Sequence, residues 1–124
     1  MKDPKIPIRL SRPLVQTIRR KSYAGELEAA LAQNLQWVVF EPSGETLWEK
    51  VRATIADYLM NDWKKGVLLG SKPEQAFFVK CDRTTMTQAD IDNGRLICLV
   101  GVAPVRPAEF VIFRIEQKTA DSTA

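Results

Sequence analysis

The 124-residue chain contains no histidine. Every mechanism that relies on an imidazole is thereby excluded, including Ser-His-Asp and Cys-His catalysis and histidine-ligated metal sites. Cysteine is almost as scarce. Cys81 and Cys98 are the only two; they lack CxxC spacing and a histidine partner, so they do not read as a zinc site. Each sits in an apolar run, Ala76-Phe77-Phe78-Val79-Lys80-Cys81 and Leu96-Ile97-Cys98-Leu99-Val100. There a cysteine serves as a small hydrophobe in a reduced core, or else pairs across neighbouring strands. No apolar run approaches the roughly 20 residues that cross a bilayer. No apolar stretch of about 7–15 residues follows Met1-Lys2-Asp3-Pro4-Lys5, so a signal peptide is not expected.

What is present is the composition of one globular domain, 45% apolar and 27% charged, with length for a single core. The net charge of +3 is unevenly spread. Residues 1–21 hold Lys2, Lys5, Arg9, Arg12, Arg19, Arg20 and Lys21 against Asp3 alone, and the remainder is mildly acidic. A basic leader can contact nucleic acid, lipid headgroups or an acidic protein face. This one has no aromatic residue, so base stacking is unsupported.

Period and punctuation place the elements. Pro4, Pro7 and Pro13 surround an alternating stretch in which Ile6, Ile8 and Leu10 share one face and Arg9 lies on the other. That pattern predicts an extended arm or edge strand. Residues 22–35 predict a helix capped by Ser22, with Leu27, Ala30, Leu31 and Leu35 on one face. Trp37-Val38-Val39-Phe40 is a short apolar run of strand formers closed by Glu41-Pro42-Ser43-Gly44, and it predicts a buried strand and a turn. Residues 45–65 predict the strongest helix, with Leu47, Trp48, Val51, Ile55, Tyr58, Leu59 and Trp63 on a broad apolar stripe and Gly66 as its stop. Ala76–Cys81 and Arg95–Val102 read as strands. Between them Thr85–Gly94 reads as one capped helical turn, with Thr85 or Thr87 as N-cap and Gly94 as the left-handed stop. Ala103–Ala108 breaks the pattern with a stiff two-proline connector. Glu109-Phe110-Val111-Ile112-Phe113-Arg114-Ile115-Glu116 is the last strand; it alternates poorly, so that both faces want cover. Residues 117–124 are small and polar and are expected to fray.

Nothing in this order carries chemistry. Asp90-Ile91-Asp92-Asn93-Gly94 lacks the distal Glu and the ligand spacing of a calcium loop. Gly66-Val67-Leu68-Leu69-Gly70-Ser71-Lys72 lacks the strand, spacing and following helix of a phosphate loop. Glu41, Asp82 and Glu109 are dispersed carboxylates with no second acid beside them. No catalytic, cofactor or metal residue is therefore assigned. The expected architecture is α+β, two main helices packed on a small mixed sheet with extended N- and C-terminal arms. Extended apolar segments at both ends of a small domain suit strand exchange between subunits.

Several segments then resemble a known family in order and spacing: Gln36-Trp37-Val38-Val39-Phe40-Glu41-Pro42, Leu47-Trp48, Glu74–Asp82, Thr85–Leu96 and Gly101–Ile115. Over residues 16–117 the chain closely resembles the C-terminal domain of contractile tail sheath proteins, found in contractile-tailed phages, R-type pyocins and related injection particles. The resemblance implies a structural subunit that stacks in sixfold rings around an inner tube protein and contracts to drive that tube through an envelope. Baseplate or terminator proteins are further implied partners, and the setting is a particle assembled in the bacterial cytoplasm. It also implies a mesh in which arms of neighbours complete the domain's sheet. Here the mesh strand would be Glu109–Glu116 and the other arm would include Ile6, Ile8, Arg9 and Leu10, a segment that matches the family pattern poorly. Family members are several times longer, so the chain reads as a basic arm (1–15), a sheath C-terminal-like domain (16–117) and a disordered tail (118–124). The competing reading is a small α+β module whose basic arm contacts nucleic acid; it predicts binding that falls steeply with salt.

Overall fold

The computed structural model describes residues 23–106 and 108–122. The Ile6–Leu10 segment and the Ser22 cap lie outside the described residues. Helix α1 spans Tyr23–Asn34 and buries Leu27 and Leu31, four residues apart on one face. Helix α2 spans Glu45–Lys64 and buries Leu47, Trp48, Val51, Ile55 and Leu59, the i, i+4 stripe of an amphipathic helix. The two are tied at their far ends by the Tyr23 hydroxyl, which donates to Asp62 Oδ2 at 2.6 Å. Burial first, and then the Asp62 carboxylate, push the Tyr23 hydroxyl far above its usual range, so it stays a donor. Gly66 closes α2 with a φ of 81° and bonds to Trp63 O, as its position after Lys64-Lys65 predicts.

Three strands form one antiparallel sheet in the order β1-β2-β3: β1 Phe77–Lys80, β2 Arg95–Val102 and β3 Val111–Lys118. The α+β class holds, with the sheet antiparallel throughout rather than mixed. β2 is central, pairing Phe77 with Val102 on one side and Val102 with Val111 on the other. Its inner face presents Leu96, Cys98, Val100 and Val102, all fully buried against the helices. β3 adds Phe113 and Ile115 to that face, and Gln117 Nε2 donates to Ala32 O of α1. Ala76 falls in a one-turn helix, α3 (Pro73–Ala76), instead of opening β1.

Trp37–Phe40 is not a strand. It belongs to a 3-10 turn, Gln36–Phe40, wound by bonds from Val38 N to Leu35 O and from Glu41 N to Val38 O. Leu35 and Val38, three apart, are buried, while Val39 and Phe40 are exposed. A run this short has no period of its own, and continuing from α1 the chain keeps its helical winding.

The segment before β2 follows expectation closely. Helix α4, Gln88–Asp92, is capped by Thr87 in a reciprocal box with Asp90. The Thr87 backbone N–H and the Arg95 side chain hold the Asp90 carboxyl below its usual range. That contribution is complete above the unfolded value of about 4 and is lost as pH falls through the folded one. Thr85 instead donates its hydroxyl to Ile97 O at 2.7 Å, fastening this excursion over β2.

The C-terminal residues are packed rather than frayed as far as Ser122. β3 runs on through Gln117 and Lys118. Thr119 is buried and its N–H reaches Gly94 O; Ala120 N reaches Glu41 O, and Asp121 accepts from Ser43 N. Gly94, at a φ of 71°, has the Asp121–Ser122 backbone lying where a Cβ would stand. Gly94→Ala is expected to lower unfolding free energy by about 1–3 kcal/mol in a urea titration, through both the left-handed strain and this overlap. It should also raise hydrogen exchange selectively at Thr119–Ser122.

Candidate assembly surface

β3 is an edge strand, bonded to β2 on one side and unpaired on the other among the described residues. It starts at Val111, so Glu109 and Phe110 precede it as exposed connector residues. From Val111 onward the strand alternates well. Phe113 and Ile115 point into the core, while Ile112, Arg114 and Glu116 are exposed. The expectation that both faces of Glu109–Glu116 want cover is therefore corrected: the outer face is apolar only at its start, at Ile112 and the adjoining Phe110.

These two residues belong to a larger apolar surface. On the sheet's outer face Phe78, Gly101 and Ile112 lie side by side in register. Phe110 stacks on Phe78 with ring centroids 6.0 Å apart and planes at 24°. The rings lie directly over Gly101, where any Cβ would overlap both of them. Glycine at this strand position makes the close approach feasible. Ile112 and Phe110 are 57% and 52% exposed, too much for either to count as core.

The outer face continues past β2. Leu68 bridges Pro104, with bonds from Leu69 N to Ala103 O and from Val105 N to Val67 O. Leu68 and Pro104 turn inward and are buried, which leaves Leu69 and Val105 exposed beside them. The connector that follows is a tight turn rather than a stiff extended link. Ala108 N bonds to Pro104 O, and Ala108 takes the left-handed conformation at a φ of 69°. That turn brings Phe110 back over the sheet. Phe40, 81% exposed, is a separate apolar residue at the 3-10 turn. Its exposure and that of Leu69 were unreadable from sequence, since each sits in an apolar run that suggests burial.

The dispersed carboxylates stay dispersed. Glu41 lies 3.8 Å from Lys50, both partly exposed. Asp82 accepts from the Thr84 hydroxyl and backbone N–H, which hold its carboxyl below the usual range. Among the described residues no group of three or more Asp, Glu or Cys side chains is placed to hold a metal ion, and no helix is long and apolar enough to cross a membrane.

Among the described residues, an unpaired strand edge and an exposed apolar outer face make a surface suited to contact with another chain. A sequence profile of the phage tail sheath C-terminal domain matches residues 13–118. The chain belongs to that family. Two solved assemblies contain similar chains. One is the anti-feeding prophage baseplate, 41% identical with a TM-score of 0.63, over 77% of this chain and 27% of that one. The other is the sheath complex, in its contracted state, of the extracellular contractile injection system PVC, 44% identical with a TM-score of 0.62, over 72% and 25%. The chain thus spans about a quarter of the length of these structural relatives. No individually curated protein matches it. The family is one of tail sheath proteins, and the two neighbours belong to a baseplate and to a contractile injection system sheath.

Gly101→Ala tests the outer face. The added methyl should displace the Phe78–Phe110 stack, abolishing ring-to-ring nuclear Overhauser contacts and increasing binding of an apolar dye, with the far-ultraviolet circular dichroism spectrum unchanged.

Proposed function

We propose that this domain is a structural subunit of a contractile tail sheath that assembles around an inner tube protein by inter-subunit strand exchange. The observation that carries this reading is β3, an edge strand whose second side is unpaired among the described residues, in a domain of the sheath family. An unpaired edge holds a row of backbone donors and acceptors that a second chain can satisfy.

In this reading the Glu109–Glu116 segment is the inter-subunit strand. Its Val111–Glu116 part keeps its bonds to β2 and accepts a neighbour's arm along its free side. The arm is the stretch containing Ile6, Ile8, Arg9 and Leu10. Its single apolar face would extend the inner sheet face beyond Phe113 and Ile115, and Arg9, on the opposite face, would lie on the side that carries Glu116. Sixfold rings stacked helically, contraction that drives the tube through a target envelope, and contacts with baseplate or terminator proteins complete the proposal. Particle assembly takes place in the bacterial cytoplasm.

Deletion of residues 1–15 removes the proposed arm, and the melting temperature reports whether folding is affected. The intact chain is expected to form rings, tubes or filaments in light scattering and negative-stain electron microscopy. The deletion variant should stay monomeric at every concentration with an unchanged melting temperature. Assembly of the variant equal to that of the intact chain would overturn the proposal.

A further inference from the structure

β1 ends at Lys80 opposite Leu99, so the next pair in the same antiparallel register is Cys81 with Cys98. Residues directly opposite in such a ladder have Cα atoms about 4.5–5.5 Å apart, inside the range that a disulfide spans. Parity puts both side chains on the inner face, with Val79 and Val100, and both cysteines are fully buried and unbridged. The Cys81 side chain stands close enough to the Cys98 thiol to push that thiol well above its usual range. Neither takes part in the assembly surface described above.

We infer that Cys81 and Cys98 form a reversible disulfide site, closed by a small-molecule disulfide, that fastens the end of edge strand β1 to central strand β2. The exchange balances with oxidised glutathione as the oxidant. The first thiolate attacks a glutathione sulfur and releases one reduced glutathione. The second thiolate then displaces the other, so two thiol protons are lost and one S–S bond forms.

Access controls the rate. The neighbouring Cys81 side chain and then burial hold the Cys98 thiol well above its usual range, and both sulfurs are fully buried, so the closed domain reacts slowly and the dithiol persists in a reducing compartment. The opening that admits an oxidant is local. β1 has only four residues, and beyond Cys81 the chain enters a turn in which Arg83 and Thr84 are exposed. Fraying of this strand end exposes Cys81 without unfolding the helices. The Arg52 guanidinium, which donates to Cys81 O, opposes the burial effect by favouring the Cys98 thiolate.

The test uses the full chain incubated with excess oxidised glutathione, with and without sub-denaturing urea, and read by intact mass and non-reducing peptide mapping. The expected product is a monomer lighter by about 2 Da, two hydrogens, with a Cys81–Cys98 linked peptide. Its far-ultraviolet spectrum should match that of the reduced chain, and its melting temperature should rise by about 10 °C and return on reduction. Urea should speed the reaction, and Cys98→Ala should show no such mass loss. Stable glutathione adducts, disulfide-linked dimers, or an unchanged mass even with urea present would overturn the inference. So would a linked monomer with a lower melting temperature.

Discussion

The whole domain depends on burying one strand on both faces. β2 lies between two partners, and only Arg95 at its start is exposed. Its inner face, Leu96, Cys98, Val100 and Val102, is buried in one core cluster with the apolar stripes of α1 and α2. Among the described residues its outer face has no helix layer of comparable size. Near Ile97 the cover is the Asp82–Asp92 excursion, fastened by Thr85 to the strand itself. Near Gly101 the cover is the pair of rings from Phe78 and Phe110. A three-stranded sheet thus acquires a second layer from a turn and two side chains.

This economy explains where the molecule remains open. Two rings over a glycine shield the strand below them, but Phe110 and Ile112 stay exposed at the margin. The same connector turn that returns Phe110 to the sheet delivers Val111 into register with Val102. Edge, connector and apolar margin therefore form one surface. Its chemistry is backbone hydrogen bonding and apolar contact, which suits assembly.

Much of this was legible from residue pattern because the main elements are strongly periodic. The α2 stripe through Trp48, Val51, Ile55 and Leu59 and the β2 run have the boundaries that their side chains dictate, and the Thr85–Gly94 capped turn was legible with its cap open between Thr85 and Thr87, of which Thr87 is the one used. The open surface was legible only in part. Val111–Glu116 was found as a strand, but its edge position depends on strand order, which no local period encodes. Trp37–Phe40 looked like a strand because its residues favour one, and helical winding carried over from α1 prevailed. The tail residues Thr119–Asp121 looked free because they are small and polar. Their order comes from backbone bonds to Gly94 and Glu41 and from the Asp121–Ser43 contact, which hydropathy does not register.

The central claim is that β3 is completed by another chain. Amide hydrogen exchange of dissociated and assembled chain, resolved residue by residue, tests it most directly. In the dissociated chain the alternate β3 amides that point away from β2 should exchange fast, and assembly should slow them by at least about tenfold, as new ladder bonds require. The β2 amides should remain unchanged. Fast exchange of those β3 amides in the assembled particle would contradict the account.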